Sequence, residues 1–128
     1  MSASEAQDSP LQDSAQPDAP NKWHGRCFEA AFAALAQHPS GVLVHGTPLG
    51  HAGEVAGIRY AHAWVELGTL LVVDLTMSGH PIMPRELYYR ACSLDESHVK
   101  RYPRHEAYAT LHANEHYGPW HEPALSAA

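Results

Sequence analysis

Cys27, His62 and Asp74 are residues whose types and order could together perform acyl chemistry. A thiolate is the nucleophilic form of cysteine, and an imidazole can take the thiol's proton. A carboxylate can orient that imidazole and stabilise its charged form. What decides whether the three can meet is the element that carries each one.

Cys27 stands at the start of a predicted helix. Phe28, Phe32 and Leu35 recur at helical spacing, alanines fill the positions between them, and Pro39-Ser40-Gly41 ends the run. The free N–H groups and dipole of a helix start favour a thiolate. The Cys27 N–H could also donate to an oxyanion. Asn21, Trp23 and His24 are the upstream side chains that could complete such a hole, and Gly25 would admit a substrate backbone. The competing reading of Cys27 is a small buried core residue.

His62 falls in an alternating run from Ile58 to Leu67. Tyr60, His62, Trp64 and Glu66 share one face, and Arg59, Ala61, Ala63, Val65 and Leu67 share the other. The first face fits a cleft wall, with Trp64 as a substrate-binding candidate, although aromatic residues are more often core. Glu66 reads as a surface charge. Asp74 interrupts the apolar run Leu70–Leu75 and needs a partner there.

Hairpin register links the two runs. A two-residue turn at Gly68-Thr69 would send Asp74 and His62 to opposite faces. A three-residue loop at Leu67-Gly68-Thr69 would place His62 opposite Asp74. The second register, or a bulged equivalent, is predicted because it gives Asp74 a partner.

The remaining elements are a strand at Val42–His45, a loop from Thr47 to Gly57, a helix opened by Pro84, a strand at Val99–Tyr102 and a helix from Arg104 to about Asn114. This order predicts an α+β domain: a catalytic helix packed on a small, mainly antiparallel sheet. Residues 1–21 contain almost no large apolar side chain and read as a disordered tail. Residues 22–122 form the single catalytic domain, and 123–128 a C-terminal tail.

Composition narrows the function. The net charge is −6, and the basic residues are dispersed apart from Lys100-Arg101, so no nucleic-acid footprint is expected. No apolar run reaches membrane-spanning length and no secretory signal is visible, so no membrane partner is expected and the cytoplasm is the default compartment. Cys27 and Cys92 are then expected to be free thiols, Cys92 as packing.

A cysteine opening an Ala/Leu-rich helix, His-Ala-Trp-Val-Glu in a strand, and an aspartate in the next strand resemble the transglutaminase-like branch of the papain-like superfamily. The chain is also similar to the small leader peptidases of lasso-peptide maturation over Arg26–Thr76. The resemblance implies Cys27 as nucleophile, His62 as base and Asp74 as orienting acid, with no cofactor. It implies an amide oxyanion donor upstream of the cysteine, where Asn21 replaces the usual Gln. It permits peptide hydrolysis, deamidation, transglutamination or other acyl transfer on a peptide or protein, and a partner protein could supply part of the site. Beyond Thr76 the chain departs from it, and Arg85–Tyr89 and His116–Trp120 mark a separate bacterial or phage group.

Two other classes compete. One is a non-catalytic binding module, its cleft lined by Trp23, Trp64, Tyr88, Tyr89, Tyr117 and Trp120, the last two closing it from the tail end. Leu87, Tyr88 and Trp64 are the more core-like of the aromatic and apolar candidates. The other is a zinc protein. The chain has eleven histidines, and His112 and His116 sit four apart, followed by His121 and Glu122.

Overall fold

The structure, a computed structural model, describes residues 21–120. The tail assignments for residues 1–20 and 123–128 lie outside them, as do His121 and Glu122.

Helix α1 spans Cys27–Gln37 and buries Ala30, Ala31, Phe32, Ala34 and Leu35. Its alanines keep that face thin, so α1 lies directly on the sheet against β1 (Val42–Gly46) and β2 (His62–Leu67). Strands β3 (Leu71–Val73), β4 (Ile82–Pro84) and β5 (Val99–Tyr102) complete a five-stranded sheet of order β4-β3-β2-β1-β5. Every pairing in it is antiparallel. Helix α2 covers Arg85–Ala91 and helix α3 Arg104–Asn114. The architecture is therefore α+β, with the N-terminal helix packed on an antiparallel sheet. No helix among the described residues is long and apolar enough to cross a membrane.

The sheet is buried on both faces. On one, α1 and α3 pack with Leu43, Ala63, Val65, Val73 and Tyr102. On the other, Tyr88 of α2 packs with Val44, Trp64, Val72 and Leu94. Each fully buried Leu or Val in these layers contributes about 1.5–3 kcal/mol. The second core corrects the reading of the His62 face as an open cleft wall. Trp64 has no exposed surface and Glu66 only 2 %. Leu87, expected in the core, is 48 % exposed.

Three boundaries differ from expectation. The run beginning at Ile58 joins the ladder only at His62, because Arg59 bridges Leu49 instead. The Arg59 guanidinium donates to the carbonyls of Thr47 and Ser93, at 2.7 Å each. Strand β4 was not anticipated. It is a short edge strand ending in Pro84, and only an edge tolerates proline. The hairpin loop is Gly68-Thr69-Leu70, with Gly68 at a φ of 62° and Leu67 paired with Leu71. This register lies two residues from the predicted one. A shift of two preserves the faces, so Asp74 still emerges on the His62 side.

Candidate active site

The start of α1 is open. Arg26 precedes the helix without a side-chain cap, its guanidinium instead pairing with Glu29 at 2.8 and 3.0 Å. The first helical backbone bond there runs from Ala30 N–H to the Arg26 carbonyl. The N–H groups of Cys27, Phe28 and Glu29 thus have no acceptor within the helix. Cys27 is half-buried and borders a cavity of about 570 Å³. His24, Gly25, Phe28, Val55, Tyr60 and His62 also line it.

His62 begins β2, where the strand end meets the start of α1. Its Nε2 lies 2.8 Å from Asp74 Oδ2, with 12 % of the His62 side chain and 3 % of the Asp74 side chain exposed. Asp74 has left the β3 ladder, its N–H bonding the Pro81 carbonyl at 2.7 Å. Its position continues the register to a place diagonal to His62, a separation that side chains span. The carboxylate is saturated. Oδ1 accepts from Thr76 N at 3.0 Å and Thr76 Oγ1 at 2.6 Å, and Oδ2 accepts from Tyr88 Oη at 2.6 Å besides His62.

Burial alone would drive the His62 imidazolium to deprotonate. The hydrogen bond that His62 donates to Asp74, with a smaller contribution from Cys27 nearby, overrides it and raises the His62 pKa to about 10. Burial would likewise push Asp74 up, but the bonds from His62, Thr76 and Tyr88 hold it below the usual carboxylate range. With Nε2 engaged by Asp74, Nδ1 is the ring nitrogen left for the thiol.

The upstream candidates separate. His24 lines the cavity beside Cys27. Asn21 does not, and both hydrogens of its amide are committed, to the Leu75 carbonyl at 3.1 Å and Ser78 Oγ at 3.0 Å. Asn21 is therefore a clamp on the segment after Asp74 rather than an oxyanion donor, and it belongs to the ordered domain rather than the tail. Trp23 lines a different groove of about 300 Å³ with Phe32, Tyr108 and Tyr117. Trp64, fully buried, cannot touch a substrate. Its ring packs 5.2 Å from Tyr88 and 6.0 Å from His62, so it backs the site.

Other sequence candidates also fall elsewhere. Glu66 is no surface charge: it accepts from Trp64 Nε1 at 3.1 Å, Arg101 Nε at 2.9 Å and Tyr89 Oη. Trp120 packs in the α1 core and Tyr117 against Phe32, so neither closes the Cys27 cavity. Helix α3 ends at Asn114 and Glu115 turns left-handed, so His112 and His116 do not share a helix face. Among the described residues no group of three His, Cys, Asp or Glu side chains could hold a metal ion. Burial, and then Asp74, pushes the Cys92 thiol up to about 11.

Sequence reasoning missed Val55 and Thr76 at the site, and it read Tyr88 as core or cleft lining, not as a partner of Asp74. Only Thr76 carried a signal, since Asp-x-Thr favours a local side-chain turn. Val55 reaches the cavity through a loop folded tightly on Gly50. A Cβ on Gly50 would stand 2.1 Å from the Val55 carbonyl oxygen. Gly50→Ala is expected to cost about 1–3 kcal/mol in a denaturant melt.

No family model, no curated protein and no solved structure matches this chain.

Proposed function

We propose that the chain is a cysteine-dependent acyl hydrolase or acyltransferase of papain-like or transglutaminase-like type, acting on a peptide or protein in a reducing, cytoplasmic compartment. The observation that carries this reading is His62, bonded to Asp74 through Nε2 and lining the same cavity as Cys27. The Cys27 proton passes to His62 Nδ1 and the sulfur attacks the acyl carbon. The oxyanion forms beside the free N–H groups of α1. The imidazolium then protonates the leaving amine, and Asp74 holds its charge throughout. Water or an amine resolves the thioester, and this choice separates peptidase or deamidase from transglutaminase. A partner protein could complete the binding surface.

The two thiols give an internal control. At pH 7 a thiol with the Cys92 pKa is roughly one part in 10⁴ thiolate. Iodoacetamide is expected to alkylate Cys27 at least about tenfold faster than Cys92 near neutral pH, read by peptide mass spectrometry. His62→Ala is expected to slow Cys27 alkylation and to leave Cys92 labelling unchanged. Equal, slow labelling of both in the unmodified protein would instead identify a non-catalytic binding module. Capture of a Cys27 adduct from lysate with an electrophilic probe, competed by native peptides, then identifies the acyl donor.

A further inference from the structure

We infer that Tyr88 is a positioning residue of this site, fixing the aim of the Asp74 carboxylate at His62 from the opposite layer of the fold. The inference rests on the function proposed above and deepens it.

Asp74 needs such a device because its backbone does not supply one. β3 ends at Val73, and Asp74 opens the irregular segment before β4. The terminal torsion of an aspartate is soft and roughly two-fold, so hydrogen bonds must choose where its oxygens point. Thr76, two residues away, fixes Oδ1. Oδ2, the oxygen that meets His62, is fixed by Tyr88 Oη at 2.6 Å.

Tyr88 is well built for this. It sits on α2, only 2 % exposed, with its ring held against Trp64. Its neighbour Tyr89 bonds the other buried carboxylate of this sheet face, Glu66. One helix thus grips two carboxylates through adjacent phenols, and only the Tyr88 phenol reaches the site. The titratable groups that bear on Asp74 are His62 from β2, Tyr88 and Cys92 from α2 and its end, and Tyr60 from the cavity wall. Tyr88 differs from the last two in bonding the carboxylate directly.

The test is Tyr88→Phe, which removes the hydroxyl and keeps the ring. Cys27 alkylation by iodoacetamide at pH 7 is expected to slow about tenfold, with Cys92 labelling unchanged. The Asp74 carboxyl titration, followed by carbon-13 NMR, is expected to move upward. Tyr89→Phe is the control: it weakens the Glu66 network and should leave both readouts in place. Should Tyr88→Phe fail to fold, 3-fluorotyrosine at position 88 retains the phenol as a stronger donor, and the Asp74 titration is expected to move downward. A reactive Cys27 whose rate and Asp74 titration ignore both changes at Tyr88 would overturn the positioning role alone. An unmodified protein whose Cys27 labels no faster than Cys92 would overturn the proposed function and the inference with it.

Discussion

Asp74→Asn is expected to slow Cys27 alkylation near neutral pH by about 30-fold and to lower stability by about 3–5 kcal/mol. The rate effect follows from the thiol. Without the carboxylate, the base beside that thiol, His62, loses the partner that orients its ring and holds its charge. The stability effect follows from the four hydrogens aimed at the carboxylate, from His62, Tyr88 and twice from Thr76. An asparagine offers one oxygen to them and turns two hydrogens of its own toward the rest, so buried donors lose their acceptor.

The pH dependence supplies a signature of the same variant. Folding raises the His62 pKa from 6.5 to about 10, so its contribution to stability is complete below 6.5 and is lost as pH rises toward 10. Folding lowers the Asp74 pKa from 3.8, so its contribution is present above 3.8 and is lost as the carboxylate protonates in the folded protein. The unmodified protein should therefore lose up to about 1.4 kcal/mol per pH unit between pH 7 and 10 in urea melts. Asp74→Asn should flatten that slope, because the imidazolium no longer has its counter-charge. A slope identical in the two proteins would refute the ion pair as its source.

How far the chain could be read without coordinates depends on the range of the interaction. Local signals worked. The alanine-rich spacing after Cys27, the proline before α2 and the turn residues around Gly68 all act within a few positions. Faces also survived, because Asp74 reaches the His62 side in any three-residue loop register. Exact register did not, because one glycine and two apolar neighbours suit more than one loop. The polar face of β2 was misread for a different reason. Alternation of Tyr60, His62, Trp64 and Glu66 signals water on one side only if no other layer exists, and α2 provides that layer. Nothing local to Glu66 announces that Arg101, 35 positions later, will meet it. Asn21 shows the same limit, since its partners Leu75 and Ser78 lie more than 50 positions away.

Glu66→Ala is expected to lower the melting temperature by at least about 12 °C, a loss of about 3–5 kcal/mol at the usual response of 4–8 °C per kcal/mol for a domain of this size. Total stability for a small domain is about 5–15 kcal/mol, so part of the population should unfold near 37 °C. The side chain is 2 % exposed and accepts from Trp64, Tyr89 and Arg101, with Arg85 at 3.7 Å. Removing it leaves the Trp64 and Tyr89 hydrogens facing an empty site. Arg101 and Arg85 keep Glu96, which is well exposed and holds them less firmly. The network joins β2, α2 and β5, so the damage is not confined to one element. Trp64, released at its indole N–H, would also loosen behind His62 and Tyr88, and Cys27 alkylation should slow even at temperatures where the variant is folded. A double-mutant cycle with Arg101→Ala isolates the central pair. The double variant should be more stable than the sum of the single losses implies, by about 1–3 kcal/mol, because removing both charges leaves no unpaired ion. Additive losses would mean that Arg101 is held by Glu96 alone and that Glu66 acts only through its two aromatic donors.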